Sequence, residues 1–246
     1  MKGDKAVGIY GTALRIVRLP LAITGAVNGV MIPQISRAYA KSDLKEINSL
    51  VNKSFSIICV TGFPIMVGMY VSSSFLIQSF AGNKFTESIS SLQILAPLVI
   101  VIGFANIICM QLLAPIGRER YLLKAYVITM VFSLTVNILL IKYFSYKGAS
   151  VGMISTEIFA TALCYHYLKK IIAVKFKQKI LIQSLVGSLC FFPIALLVRS
   201  TISGFILQGI IVIISCVIFY AAFLWFIKNT YIENMKVALI SKLFNK

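Results

Sequence analysis

Seven long apolar stretches follow one another along the chain, at about 8–33, 54–80, 89–114, 122–144, 148–168, 180–198 and 204–227. A bilayer's hydrocarbon core is about 30 Å thick and takes roughly 20 apolar residues to cross as a helix. Each stretch is of that order. With 59% hydrophobic and 13% charged residues among 246, no compact water-soluble fold of this size could hide so much apolar surface. The predicted fold is all-α: a polytopic integral membrane helical bundle of about seven transmembrane helices.

The basic residues fall thickly and thinly in alternate gaps. Arg37, Lys41, Lys45 and Lys53 follow the first span, Arg118, Arg120 and Lys124 the third, and Lys169, Lys170, Lys175, Lys177 and Lys179 the fifth. Lys228, Lys236, Lys242 and Lys246 follow the last. The other side holds only Lys2, Lys5, Lys84, Lys142, Lys147 and Arg199. By the positive-inside rule the rich gaps are cytoplasmic, which puts the N-terminus outside and the C-terminus inside. The net charge of +17 then reads as orientation and attraction to anionic inner-leaflet lipid, not as a nucleic-acid surface. Met1–Lys5 lacks the regions of a signal peptide. An odd number of spans starting outside without an export signal predicts upstream spans, so the chain is expected to be the C-terminal part of a larger transporter.

The first span carries the chemistry. Positions 8, 11, 15, 18, 22, 25 and 29 share one helix face and read Gly8, Gly11, Arg15, Arg18, Ala22, Gly25 and Gly29. The stripe is small except for two guanidinium groups one turn apart. A charge at the bilayer centre costs roughly 2.5–3.5 kcal/mol even on the lenient insertion scale, so such groups face a protein interior or a wet cavity. Two forked, permanently charged donors suit a phosphate or carboxylate. The competing reading has an arginine snorkelling outward or paired with an acid while the small face admits another helix. Pro20 removes a helical hydrogen bond and favours a kink.

Glu157 is the only acid well inside a span, a candidate for ion coupling or for an ion pair with Arg15 or Arg18. Thr129, Ser133 and Asn137 form a polar line on the fourth span, and Gly103 with Asn106 a small polar patch on the third. Asn106 and Asn137 are candidate cavity-lining residues, with interhelical hydrogen bonding as the alternative. Cys59, Cys109, Cys164, Cys190 and Cys216 lie within spans without CxxC spacing and read as packing residues, neither disulfides nor metal ligands. His166 reads as an interfacial residue rather than a proton relay. No cofactor is expected. The tail 231–246 alternates apolar and basic residues like an amphipathic helix on the inner leaflet.

The run Val7-Gly8-Ile9-Tyr10-Gly11-Thr12-Ala13-Leu14-Arg15-Ile16, then Pro20, then Met31-Ile32-Pro33-Gln34-Ile35-Ser36-Arg37, resembles the start of the second half of polysaccharide and lipid-linked oligosaccharide flippases. These belong to the multidrug/oligosaccharidyl-lipid/polysaccharide exporter superfamily. Phe80-Ala81-Gly82-Asn83-Lys84-Phe85, Asn137-Ile138-Leu139-Leu140-Ile141, Gly148-Ala149-Ser150 and Ile154-Ser155-Thr156-Glu157 look like further family patches in order, and the resemblance covers about residues 7–170. It implies one lobe of a two-lobed bundle that carries an undecaprenyl-diphosphate-linked glycan across the bacterial cytoplasmic membrane by alternating access, for O-antigen or capsule biosynthesis. In related lipid II flippases a cation on the matching helix lines the cavity, and Arg15 matches it within an Ala-x-Arg pattern. Arg18 has no such match.

The expected organisation is a lobe core over 1–172, two additional transmembrane helices over 173–230 and the tail over 231–246. The expected partners are the lipid-linked glycan, membrane lipid and a missing N-terminal lobe in cis or in trans. A multidrug or cation antiporter of the same superfamily would want an acidic cavity. An enzyme would want clustered carboxylates, and a non-transporting fragment is the remaining alternative.

Overall fold

The computed structural model describes residues 3–227. The expected tail helix at 231–246 lies outside them. The described residues form helices joined by short turns, as lipid demands, because a bilayer core offers no partner to an unbonded backbone group. In order they are α1 (Gly3–Arg18), α2 (Leu21–Ala40), α3 (Leu44–Val71), α4 (Ser73–Ala81), a 3₁₀ turn (Asn83–Phe85), α5 (Ser88–Leu95) and α6 (Leu98–Ala105). A π-helical segment (Asn106–Leu113) then leads to α7 (Glu119–Lys169), α8 (Gln178–Leu189), α9 (Phe191–Thr201) and α10 (Phe205–Phe226). Five of these helical runs are long and apolar enough to cross a membrane by themselves, and α1 with α2 makes a sixth as a bent pair.

The 51 residues of α7 double back on themselves. Ser145 adopts φ 53° and ψ −128°, and the arms 119–144 and 146–169 pair antiparallel along their length. Tyr121 meets Tyr167 with ring centroids 5.2 Å apart, and Phe132 stacks on Phe159 at 4.2 Å. Thr156 Oγ1 donates to Ser133 Oγ at 3.1 Å. With this hairpin counted as two arms, the described residues hold about as many apolar segments as the hydropathy pattern predicts.

Glycines set how close the helices come. A Cβ on Gly148 would lie 2.1 Å from the Leu140 carbonyl oxygen, and one on Gly152 would lie 2.6 Å from Asn137 Oδ1. Between α3 and α6 the arrangement is reciprocal: Gly62 faces Ile100 and Gly103 faces Ile58, each too near for a Cβ. Small residues at such crossings let backbones approach where the hydrophobic effect no longer drives helices together.

Three apolar cores result. One joins α2, α3 and the π-helical segment to the end of α7 and to α8, around Ile35, Ile47, Val51 and Leu112. A second packs α1 on α5 and α6 through Ala13, Val17, Leu92 and Leu95. The third seats α9 and α10 on the far half of α3 through Val67, Val71, Phe191 and Val212.

Two of the basic gaps, 37–53 and 169–179, meet at one end. Asn52 Nδ2 donates to the Lys175 carbonyl at 2.8 Å, while the Lys175 and Lys177 N–H groups donate to Asn48 Oδ1 and Asn52 Oδ1 at 3.1 and 2.9 Å. These two asparagines, one turn apart on α3, tie down the extended linker before α8. At the opposite end Lys5 Nζ donates to Glu87 Oε1 at 2.6 Å. The carboxylate, by that bond and by its charge, holds the exposed Lys5 ammonium above its ordinary pKa.

The second span differs from expectation. The stretch 54–80 is broken at Ser72, and α4 continues as a separate nine-residue helix. The third is broken at Pro97 and widens into the π-helical segment after Ala105; neither break shows in hydropathy.

The hairpin geometry makes a prediction. Gly148→Ala overpacks the contact with Leu140 and should cost about 1–3 kcal/mol, seen as a lower melting temperature in detergent. Gly11→Ala, where a Cβ meets nothing within 4 Å, should cost nothing.

Candidate functional site

Pro20 breaks the first span as its chemistry requires. The α1 and α2 axes diverge by 42°, and the junction closes with short-range bonds, Leu19 N–H to the Ile16 carbonyl and Ile23 N–H to that of Pro20, at 3.3 and 3.1 Å. The break leaves α1 with a C-terminus inside the apolar stretch. Arg15 and Arg18 occupy its last turn. Carbonyl dipoles at a helix C-terminus favour positive charge, so the broken helix itself lowers the cost of holding two guanidinium groups in the span.

Both arginines are exposed on the surface of the bundle. Among the described residues neither has a hydrogen bond or an ion-pair partner; the ion pair present there is Lys5–Glu87. The stripe beyond them stays open. Ala22, Gly25 and Gly29 are exposed, and among the described residues no atom beyond their own stretch of helix lies within 4 Å of a Cβ built on Gly25 or Gly29. Only the first part of the stripe is covered, with Gly8 under Phe85. The opposite face of the same bent helix is packed: Ile9, Ala13, Ile16 and Val17 on α1, then Val27, Met31, Ile35 and Ala38 on α2. Helix spacing thus sends the apolar residues into the lobe and the cationic, small residues out of it.

Behind this face sits a polar relay that fixes α2. Asn28 Nδ2 donates to Asn106 Oδ1 at 2.8 Å, and Gln111 Nε2 donates to Asn28 Oδ1 at 2.8 Å. Asn106 Nδ2 in turn donates to the Ile102 carbonyl at 2.9 Å. The π-helical widening brings Asn106 and Gln111 to the same partner. Gln111 is fully buried, and its Oε1 has no partner. Asn106 is therefore an interhelical bonding residue, half-buried beneath the open stripe. Neither Asn28 nor Gln111 stood out in the sequence, because their role depends on a π-turn.

Asn137 lies elsewhere, inside the α7 hairpin. Its Nδ2 donates to the Ser133 carbonyl and hydroxyl at 2.8 and 3.2 Å while its side chain packs on Gly152. Glu157, on the returning arm, is half-buried and unpaired with either arginine. Tyr126 and Cys109 lie within electrostatic range of it. All five cysteines are free thiols, and His166 is exposed with its ring edge-on to Tyr167 at 6.0 Å. An apolar crevice of about 390 Å³ opens between α3, α6 and the returning arm, lined by Phe55, Phe104, Ile108, Ile158 and Tyr165. Phe55 stacks there between Phe104 and Phe176 at 5.4 and 4.9 Å.

Residues 1–90, which carry the broken helix and both arginines, match the family model described as polysaccharide biosynthesis protein. A Haloferax volcanii protein described as a low-salt glycan biosynthesis flippase, Agl15, is 28% identical over 171 residues, covering 70% of this chain and 36% of that protein. An Escherichia coli K12 protein described as an O-antigen transporter is 20% identical over 169 residues, covering 69% and 40%. These similarities support a polysaccharide and lipid-linked oligosaccharide flippase family for the chain. Its fold matches that of the lipid II flippase MurJ in an inward closed conformation, with a TM-score of 0.75 at 18% identity over 93% of this chain and 49% of the other. The chain thus spans about half or less of the length of these flippases.

The relay and the arginines separate under mutation. Asn28→Ala strands the amides of Gln111 and Asn106 and should cost about 1–2 kcal/mol, read as a drop in melting temperature. Arg15→Ala removes no contact within the lobe and should leave the melting temperature unchanged.

Proposed function

We propose that this chain is the C-terminal lobe of a flippase that moves undecaprenyl-diphosphate-linked oligosaccharide units across the bacterial cytoplasmic membrane for O-antigen or other surface polysaccharide synthesis. One observation carries the reading: two adjacent guanidinium groups inside an apolar span, held at a helix break, with an open small-residue face and, among the described residues, no acid paired with them. A pair of charges in that position needs an anion or water opposite it. A diphosphate supplies the double negative charge and the acceptor oxygens that two forked donors bind well.

In this reading Arg15 and Arg18 hold the diphosphate, and a second lobe, supplied in cis or in trans, closes the cavity over the exposed stripe. Alternating access follows from rocking the lobes about the midplane site. Residues 1–172 form the lobe core and 173–230 two additional helices. The meeting of the basic gaps 37–53 and 169–179 at one end, with the sequence's charge asymmetry, supports an N-terminus outside and a C-terminus in the cytoplasm. Glu157, away from the arginines, is assigned to ion coupling, and Asn106 to the wall beneath the stripe. Asn137 is assigned to the wall next to the hairpin. The activity is transport without catalysis. A cation antiporter fits less well, because the open face is positive.

The test uses the natural full-length product. Arg15→Ala should abolish surface glycan export while the protein stays in the membrane at normal abundance, and Arg15→Lys should retain a fraction. Undiminished export by Arg15→Ala overturns the assignment.

A further inference from the structure

At the end of the bundle that carries Lys5 and Glu87, the break between α3 and α4 exposes donors that the fold does not use. The backbone bonds that cross the junction run from Ser72 N–H to the Gly68 carbonyl and from Leu76 N–H to the Ser72 carbonyl, at 2.8 and 2.9 Å. The N–H groups of Ser73, Ser74 and Phe75 are left at the N-terminus of α4 without a partner, where peptide dipoles favour an anion. The Ser72 side chain is only 5% exposed, and its hydroxyl makes no hydrogen bond. It lines a cavity of about 220 Å³ together with Ser74, Phe75, Arg199 and Gln208.

Arg199 enters from another element. It sits in the last turn of α9 and donates from Nη2 to the Val71 carbonyl at 2.7 Å, which fixes the guanidinium over the junction and leaves its other N–H groups free for the cavity. Gln208 donates to the carbonyls of Arg199 and Ile202, each at 3.3 Å, and so pins the turn between α9 and α10 against the same opening. Every side-chain amide or guanidinium donor already committed here holds the frame. The uncommitted ones, a guanidinium edge, a buried hydroxyl and a helix N-terminus, converge on one space.

We infer that this cavity binds the phosphodiester of a membrane phospholipid head group, and that the lipid bridges α9 and α10 to the α3–α4 junction. The chemistry of the lining selects a tetrahedral oxyanion. The surroundings select a lipid as its source: Leu196 and Leu197, one turn before Arg199, are 67% and 66% exposed, and Ile206 beyond the turn is 67% exposed. A head group in the cavity therefore lays its acyl chains along an apolar surface that needs covering. In the orientation proposed above this is the outer leaflet, although the site itself does not depend on the transported substrate.

Native mass spectrometry of the delipidated full-length protein, titrated with phosphatidylglycerol, diacylglycerol or inorganic phosphate, tests the inference. One tightly held phosphatidylglycerol is expected. Its apparent affinity should fall about tenfold or more in Arg199→Ala and about threefold to tenfold in Ser72→Ala, while glycan export keeps its dependence on Arg15. Ser72→Ala keeps the Arg199 bond to Val71, so it reads the site even where the Arg199 variant loosens the helices. Phosphatidylglycerol binding unaltered in both variants would overturn the site. Equal retention of diacylglycerol would overturn the phosphate contact, and retention of inorganic phosphate without phosphatidylglycerol would overturn the lipid as its source.

Discussion

A membrane interior supplies no hydrogen bonds, and the consequences reach every level of this fold. Backbone groups must bond within helices, and polar side chains must find partners on their own helix or a neighbour. Many of the described side chains obey this. Ser56, Thr61, Ser150, Ser155, Thr161 and Ser188 each return their hydroxyl to the carbonyl one turn back. Asn28, Asn106 and Gln111 bond one another across helices. Against that background, polar groups inside a span that lack a partner are conspicuous. Arg15 and Arg18 are the strongest cases, and they share a face.

The breaks in the helices are where the unused donors and charges collect. Pro20 ends α1 beneath the two arginines, and the negative pole of its carbonyl dipoles lies next to their charge. Ser72 ends α3 and starts α4, so the positive pole of a second helix lies next to Arg199. The signs matter. A cation held at a C-terminus is partly compensated by the protein, whereas a cation added to an N-terminus makes a site that asks for an anion. Two breaks of similar appearance thus differ in how strongly each needs a ligand.

Spans and the kink were legible from the sequence because each follows from local composition, hydropathy over about 20 residues and a proline. Helical spacing also puts Arg15 and Arg18 on one face but predicts a protein interior or wet cavity around them, whereas both are exposed on the described bundle. The hairpin turn at Ser145 was legible only as a gap between two apolar runs. Its closeness comes from Gly148 and Gly152 meeting residues 8 and 15 positions earlier, which local periodicity does not encode. The Asn28–Asn106–Gln111 relay was hidden for a stronger reason. With 3.6 residues per turn, Asn106 and Gln111 are about 140° apart around a helix; the π-helical widening brings them to one partner. The asparagine clamp on the linker, from Asn48 and Asn52 to Lys175 and Lys177, joins positions more than 120 residues apart, and nothing local marks it.

The open stripe also bears on the proposed reading of the fold. A small-residue face that served only to admit another helix would be served better by alanine or serine than by arginine, since each guanidinium in lipid costs roughly 2.5–3.5 kcal/mol. Among the described residues neither arginine has an acid partner, and the half-buried Glu157 lies within electrostatic range of Tyr126 and Cys109. A cation-binding cavity would place the acid at the open surface and the arginines elsewhere. Here Glu157 is half-buried on the returning arm, and the permanent positive charges lie on the open face. Charge of that sign, held at a helix break on an otherwise small surface, is compensated most fully by a multivalent anion, which is the physical basis for proposing a lipid-linked diphosphate as its ligand.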